Sequence, residues 1–187
     1  MGAMLAPRID AEGGGFRGLV LMAGSPLRLE DIMLRQFRQA AQSKNALLRA
    51  VAKLEETHFG KKLIGLDVLP DEEAKRKKFA GSVNLWYFKE MGRKGAADYL
   101  LESDKPVLIL QGGMDFQVLP EEDFARFRVL LQGRDKVEYR LYEGLNHLFV
   151  PGISNDILNA RAEYAAERHI GPEVIDDIAD FIHRNLP

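Results

Sequence analysis

The chain has 187 residues, of which 46% are hydrophobic and 29% charged, enough for one globular domain with a hydrophobic core. Its 26 basic and 28 acidic residues give a net charge of −2, so neither nucleic acid nor an anionic membrane surface is favoured as a partner. The absence of cysteine excludes disulfides, a cysteine nucleophile and thiolate metal ligands, and it fits the reducing cytoplasm. Because no apolar run reaches the roughly 18 residues of a membrane span, we expect a soluble cytoplasmic protein.

The N-terminal part of the chain predicts a helix followed by a strand. Good helix formers extend from Gly2 to Asp10, and a run of three glycines, Gly13 to Gly15, ends them. The next apolar run, from Gly18 to Gly24, is continuous and bounded by glycines, as in a strand buried on both faces. Strands of that kind are typical of parallel sheets.

A long helical region separates this strand from the next one. We interpret residues 29–101 as a helical insertion, because a plain crossover between parallel strands needs far fewer residues. The charged stretch from Glu72 to Lys78 predicts a solvated helix face. The spacing of apolar residues predicts two helical stripes, one formed by Leu47, Leu48, Val51 and Leu54 and the other by Val83, Trp86, Tyr87 and Met91.

The remainder of the chain alternates strands and helices. Val107 to Leu110 predicts the second strand, and Val137 to Tyr142 predicts the third. Between them Pro120 opens an acidic first helical turn, and a final helix begins near Pro172. This alternation predicts an α/β fold with three parallel strands and right-handed crossovers, formed by residues 1–187 as a single domain.

Two polar residues come directly after two of the predicted strands. Asp115 follows the second strand and a glycine pair, and His147 follows the third strand. The carboxyl ends of neighbouring parallel strands meet at the edge where open α/β sheets build their sites. A carboxylate that orients a histidine is two-thirds of a hydrolytic triad, so we interpret Asp115 and His147 as catalytic. Taken singly, each has a simpler interpretation, a turn residue for Asp115 and an incidental histidine for His147.

This arrangement resembles the C-terminal half of an α/β-hydrolase, specifically a bacterial esterase or acyl-peptidase-like member with a helical cap. Three segments carry the resemblance: Gly18 to Gly24 as the strand after the nucleophile helix, Pro106 to Asp115 as the acid strand and turn, and Gly144 to Phe149 as the histidine loop. The resemblance implies a partial α/β-hydrolase fold with residues 29–101 as the cap. It also implies hydrolysis of a small carboxylic ester, amide or acyl-peptide.

The resemblance further implies that the nucleophile is missing. In the family, a serine on a G-x-S-x-G turn precedes the acid and the histidine. Met1 and Gly2 resemble the residues directly after that serine, which would place it immediately before this chain. The oxyanion donor that follows the nucleophile would be compromised as well. We therefore expect the chain to be inactive on its own.

None of the five serines lies in a recognisable nucleophile turn. Ser25 is the best placed, because it follows the first strand, but its surroundings predict a loop that leads into a helix. The other four have the contexts of capping or solvent-facing groups, and they are Ser43, Ser82, Ser103 and Ser154.

We expect no cofactor and no metal ion. The sequence contains no nucleotide-binding loop, flavin fingerprint or metal cluster, and His58, His169 and His183 have no partners at ligand spacing. The aromatic run from Trp86 to Phe88 is a candidate lining for an acyl pocket, although aromatics at helical spacing are more often plain core.

If the family's strand order holds, the first strand has an unpaired apolar edge. Such an edge is a template for association, so we expect a dimer or larger homo-oligomer formed through it. The alternative to a hydrolase fragment is a non-catalytic module that associates with itself or binds a partner, such as a separately made N-terminal half.

Overall fold

The structure is a computed structural model that describes residues 1–42, 46–165 and 167–185. The chain divides into two compact units, one formed by Met1–Pro26 and Ala96–Pro187 and the other by Leu27–Gly95. No helix in the part described is both long and apolar enough to cross a membrane. The strands are β1 (Leu19–Met22), β2 (Lys78–Ala80), β3 (Val83–Asn84), β4 (Val107–Gly112) and β5 (Val137–Tyr142). The α-helices are α1 (Gly2–Ile9), α2 (Leu29–Ala40), α3 (Ala46–Leu63), α4 (Asp71–Arg76), α5 (Leu85–Met91), α6 (Ala96–Leu101), α7 (Ala125–Leu130), α8 (Ala160–Ala165) and α9 (Pro172–Asn185).

The first unit is built on a three-stranded parallel sheet in the order β1-β4-β5. Leu19 of β1 is in register with Val107 of β4, which is in register with Val137 of β5. Every residue of β4 is buried, whereas no residue of β5 is, as expected for a central and an edge strand. The predicted sheet of three parallel strands with flanking helices is therefore confirmed.

Hydrophobic clusters cover both faces of this sheet. Successive residues of β4 point to opposite faces, so Ile109 packs with α6 and α7 while Leu108 packs with α9. Burying one such side chain completely stabilises the fold by about 1.5–3 kcal/mol, and the two clusters thereby hold the strands in place. The buried residues of the first cluster are Leu19, Leu21, Ala96, Ala97, Leu100, Val107, Ile109, Phe124, Phe127 and Leu131. Those of the second are Ala23, Leu108, Leu110, Leu145, Phe149, Val174 and Phe181.

Helix α1 lies alongside the sheet and runs antiparallel to the strands. At its start, the Cβ of Ala3 lies 2.8 Å from the position that a Cβ would take at Gly24, just beyond β1, so only glycine fits there. At its far end, Asp10 accepts a hydrogen bond of 2.6 Å from the Nζ of Lys105, just before β4. Gly24 marks the carboxyl edge of the sheet and Lys105 the amino edge. The N-terminal end of α1 therefore lies at the same edge as the ends of β4 and β5.

The second unit has a hydrophobic core of its own. The rings of Phe59, Phe79 and Phe88 form a series in which neighbouring centroids are 4.5 and 4.4 Å apart. Buried Leu63, Leu66, Ala74 and Leu85 complete the cluster. The assignment of residues 1–187 to a single domain with 29–101 as its cap stays a prediction.

A β-hairpin in this unit differs from the sequence-based expectation of continuous helix. Strands β2 and β3 pair antiparallel, and Gly81 between them has φ +54°, which favours glycine. Helix α4 ends at Arg76, so the prediction of a helix face through Lys78 was wrong at its end. Val83 likewise lies in a strand, not on a helical stripe. Burial of Phe79 among the core aromatics outweighs the weak strand preference of the lysines beside it.

The predicted apolar stripe of α3 lies on an exposed face of that helix. Leu47 and Leu54 are 75% and 70% exposed, and Val51 is also exposed, whereas Ala52 of the same helix is buried. The side chain of Leu48 is not among those that the structure describes.

The three consecutive aromatics of α5 have different surroundings. Phe88 is buried in the core of the second unit, and Tyr87 is exposed. Trp86 lies against two cations, the Nζ of Lys75 and the guanidinium of Arg93, each 5.0 Å from a ring centroid. Their role in an acyl pocket stays a prediction.

Candidate active site

Asp115 lies in the turn after β4, at the carboxyl edge of the sheet, and its side chain is 0% exposed. Oδ1 accepts hydrogen bonds from the backbone N–H groups of Gln117 at 2.8 Å and Val118 at 3.0 Å. Oδ2 accepts one from Nε2 of Gln111 at 3.0 Å and lies 2.8 Å from Nδ1 of His147. Each oxygen thus has two donors, which offsets the cost of burying a carboxylate.

Gln111 ties the end of β4 to this acid turn. It is buried within an otherwise apolar strand, and its Nε2 lies within hydrogen-bonding distance of three oxygens, which share its two hydrogens. They are the carbonyl oxygens of Gly112 at 3.1 Å and Val118 at 3.0 Å and Oδ2 of Asp115 at 3.0 Å. Gln111 was not among the residues predicted from the sequence. The available signal was a polar side chain inside a buried strand, which is costly unless it is hydrogen-bonded.

His147 lies at the tip of a short loop after β5. Leu145 and Pro151 form an antiparallel bridge, and the N–H of Phe149 donates to the carbonyl of Asn146 at 3.0 Å, which closes a turn around the histidine. Because a carboxylate can only accept, the neutral imidazole carries its proton on Nδ1. The side chain is 26% exposed, and Nε2 forms no hydrogen bond with the described residues. That nitrogen is open to a reacting group.

The glycine pair before Asp115 lets the acid turn and the histidine loop meet backbone to backbone. A Cβ at Gly112 would lie 2.4 Å from the carbonyl oxygen of Asn146, and one at Gly113 would lie 2.6 Å from the Cα of Glu143. The N–H of Gly113 donates to the carbonyl of Tyr142 at 2.7 Å. The glycines are needed for close approach, and this approach places Asp115 beside His147.

A buried glutamate supports the histidine loop. Glu163 is 2% exposed and accepts hydrogen bonds from Nδ2 of Asn146 at 2.6 Å and from the N–H groups of Ile153 and Ser154 at 3.1 Å. Nη1 of Arg168 lies 3.4 Å from its Oε1. Burial alone would raise the pKa of this carboxyl, but these hydrogen bonds and the Arg168 charge outweigh burial and lower it. Sequence reasoning missed Glu163, because nothing local links it to the loop.

Ser25 is buried and bonded to a different carboxylate. It is 1% exposed, and its hydroxyl donates to Oδ1 of Asp123, in the π-helical turn that leads into α7. The other oxygen of Asp123 accepts from the N–H of Leu119 at 2.7 Å. The Ser25 hydroxyl therefore links the segment after β1 to the turn that leads into α7.

The remaining serines lie in turns or at the ends of elements. Ser82 is exposed in the hairpin turn. Ser103 accepts from the N–H of Lys105 at 3.3 Å, and Ser154 accepts from the N–H of Asp156 at 3.1 Å. Ser43 lies outside the described residues.

The other three histidines, His58, His169 and His183, are exposed. Within the ranges that the structure describes, no three His, Cys, Asp or Glu side chains converge to hold a metal ion.

The arrangement combines a buried carboxylate, an imidazole whose Nδ1–H points at it, and an open Nε2. Such a pair can take a proton from a hydroxyl or a water placed at Nε2 and return it to a leaving group. The structure therefore brings together the two residues that the sequence analysis singled out, Asp115 and His147, in the geometry of a general base and its orienting acid.

Comparison with known proteins points to related chemistry. The chain is similar to "Esterase EstD" of Thermotoga maritima, with 30% identity over 180 residues, which is 96% of this chain and 40% of the esterase. The chain thus spans less than half the length of the curated relative that it matches. No protein-family model matches the chain. The similarity is weak but extends over nearly the whole chain, and it is consistent with a hydrolase of the esterase kind.

Proposed function

We propose that this chain provides the acid and the base of a serine hydrolase of the α/β-hydrolase superfamily, acting in the cytoplasm on small carboxylic esters, amides or acyl-peptides. Asp115 is the acid and His147 the general base. The observation that carries the proposal is the 2.8 Å contact of Nδ1 with Oδ2 at the carboxyl edge of parallel strands. The similarity to an esterase supports the same chemistry.

In this proposal His147 moves a proton twice in each half of the reaction. A hydroxyl at Nε2 gives its proton to the imidazole as its oxygen bonds to the carbonyl carbon, and Asp115 stabilises the imidazolium that forms. The imidazolium then gives the proton to the leaving oxygen or nitrogen as its bond to that carbon breaks. Water at Nε2 then gives a proton to the imidazole as its oxygen bonds to the acyl carbon. The imidazolium returns that proton to the serine oxygen as the bond between this oxygen and the acyl carbon breaks, which releases the carboxylic acid.

The attacking hydroxyl belongs, in this proposal, to a serine outside residues 1–187. Ser25 donates to Asp123 and is buried, so it is not available to His147. The position of α1 supports the placement, because its first turn lies beside Gly24 at the carboxyl edge, and a residue directly before the helix would lie at that edge too. The positive end of the helix dipole at this place suits a developing oxyanion.

Residues 1–187 alone should then not turn over esters at a useful rate. Removing the serine of a triad cost about a millionfold in turnover in a model protease, because only binding and oxyanion donors remain.

A fluorophosphonate probe, which labels activated serines, tests this proposal. Residues 1–187 alone should not be labelled, and a longer protein in which a segment ending in Gly-x-Ser precedes Met1 should be labelled on that serine. Labelling should disappear in the His147→Ala variant of the longer protein. Labelling of Ser25 or another serine of residues 1–187, or labelling that survives His147→Ala, would overturn the proposal.

A second candidate is a non-catalytic module that associates with itself, and the sheet edge favours it. In the described part of the chain β1 pairs with β4 on one side only, and its four residues are all apolar. By contrast, the edge strand β5 carries Glu138 and Arg140, charges of the kind that protect edges. The proposal is a homodimer through β1. Analytical ultracentrifugation at micromolar concentration should show a dimer or larger species, and a stable, folded monomer would exclude it.

A further inference from the structure

Two adjacent residues of α8 contact the two loops of the candidate site separately. Glu163 hydrogen-bonds to Asn146, the neighbour of His147, at 2.6 Å. Tyr164 accepts a hydrogen bond through its hydroxyl from Nε2 of Gln117, which is two residues after Asp115. A helix of only six residues therefore touches both the base loop and the acid turn.

On the base side, Glu163 fixes the loop through Asn146. The Oδ1 of that asparagine accepts from the N–H of Leu148 at 2.9 Å, and its Nδ2 donates to the glutamate. The asparagine is fully buried, so its side chain has no water to replace a lost partner. The hydrogen bonds to the N–H of Leu148 and to the side chain of Glu163 thus hold Asn146 in place beside the histidine.

On the acid side, Tyr164 fixes the turn through Gln117. The backbone N–H of that glutamine donates to Oδ1 of Asp115 at 2.8 Å, while its side chain donates to the tyrosine hydroxyl. The ring of Tyr164 also packs against Phe116, with centroids 5.7 Å apart. Burial raises the pKa of the tyrosine, which therefore stays neutral and keeps its hydroxyl hydrogen.

We infer that Glu163 and Tyr164 are positioning residues that set the distance between Asp115 and His147. Neither touches a reacting atom, and each acts through one intermediate residue. Because they are consecutive on one helical turn, a shift of α8 moves both loops together and preserves the contact of Nδ1 with Oδ2. A misplacement of about 1 Å in a catalytic group lowers the rate about a hundredfold. The two contacts made by Glu163 and Tyr164, here called the α8 clamp, therefore matter for catalysis. Its catalytic meaning rests on the function proposed above.

The tautomer of His147 shows directly whether the α8 clamp keeps Nδ1 in contact with Asp115. When Asp115 accepts from Nδ1, the neutral imidazole carries its proton there, and this state is visible in long-range ¹H–¹⁵N correlation spectra of residues 1–187. The measurement is made at about pH 8.5, where an ordinary imidazole is neutral.

Glu163→Gln replaces one acceptor oxygen with an NH2 group that faces donors. We expect the ratio of the Nδ1–H to the Nε2–H tautomer to fall about tenfold. Tyr164→Phe keeps the ring against Phe116 and removes only the hydroxyl, so it should fold normally and lower the ratio about two- to threefold. The matched control is Glu167→Gln, an exposed carboxylate nearby on the chain, which should leave the ratio unchanged.

Tyr164→Phe keeps the test decisive if Glu163→Gln fails to fold, as judged by circular dichroism. A tautomer ratio that is unchanged in folded Tyr164→Phe, or lowered equally in Glu167→Gln, would overturn the positioning role. This readout needs no ester hydrolysis, so it is independent of the labelling experiment. Loss of labelling in His147→Ala together with unchanged tautomers would reject the clamp alone, and altered tautomers without His147-dependent labelling would reject the proposed hydrolase alone.

Discussion

The acid turn and the histidine loop share one plan, a strand, a glycine and a polar residue, but their support differs. Apart from His147, the donors to Asp115 all come from residues 111–118. The histidine loop depends instead on Glu163 and Arg168, which lie on a later part of the chain. The carboxylate of Asp115 is thus bonded mainly within its own turn, which Tyr164 contacts only through Gln117 and Phe116, whereas the histidine loop is bonded directly to the distant carboxylate of Glu163. Loss of the Glu163 carboxylate alone should displace the histidine loop more than the acid turn.

The largest expected effect follows from Asp115→Asn, which breaks the link between the two regions. The new side chain keeps an oxygen for the N–H groups of Gln117 and Val118 but turns an NH2 group toward His147. In the longer protein, in which a segment ending in Gly-x-Ser precedes Met1, kcat for an ester substrate should fall about 10⁴-fold, because the imidazole loses its orienting acceptor. The control Asp104→Asn changes an exposed carboxylate before β4 and should alter kcat less than about twofold. Equal losses in both variants would contradict the assignment.

The next effect concerns only Glu163, the distant carboxylate that supports the histidine loop. Glu163→Gln should lower the free energy of unfolding by about 3–5 kcal/mol, because it removes a buried charge from a network with Asn146 and Arg168. Urea denaturation measures the loss. The exposed control Glu167→Gln should change the unfolding free energy by no more than about 0.5 kcal/mol. If the two variants were equally stable, the glutamate would not hold the loop.

Paired glycine variants compare the two regions at their point of contact. Gly112→Ala, at the end of β4 and directly before the acid turn, would push a methyl group against the carbonyl of Asn146, so a loss of about 1–3 kcal/mol is expected. Gly144→Ala in the histidine loop meets no atom within 4 Å and should change stability by no more than about 0.5 kcal/mol. Thermal or urea unfolding of both variants tests the contrast, and the reverse order would show that the backbones do not approach as described.

The smallest effect is a pH dependence of the contribution that Glu163 makes to the free energy of unfolding. The pKa of Glu163 is lowered from its ordinary value of 4.5 in the folded chain. Its contribution to stability is therefore fully present above about pH 4.5 and is lost as the pH falls through the folded-state pKa, since the unfolded chain binds the proton first. The difference in unfolding free energy between wild type and Glu163→Gln should shrink below pH 4.5. A difference that stays constant in urea titrations down to acidic pH would contradict this linkage.

The features that sequence reasoning predicted have local signals. A glycine-bounded apolar run suffices for β1, and a buried strand followed by Gly112, Gly113 and Asp115 indicates a turn at the carboxyl edge. The same reasoning placed His147 after β5, and the parallel order of the strands brings the two polar residues to one edge. The catalytic roles of the pair stay a proposal.

The features that it missed depend on contacts between distant parts of the chain. Glu163 looks like any charged residue of a short helix until the loop folds over it, and the hairpin around Gly81 forms because Phe79 is buried against aromatics far away in sequence. Gln111 is the exception, since an amide inside an apolar strand already indicates a buried hydrogen-bonding role.

The most direct test of the central claim, that Asp115 orients His147, is the tautomer of that histidine in wild type and in Asp115→Asn at about pH 8.5. We predict that the wild-type imidazole carries its proton mainly on Nδ1 and that the variant shifts it toward Nε2. A wild-type imidazole protonated mainly on Nε2, or a tautomer ratio that Asp115→Asn leaves unchanged, would contradict the account.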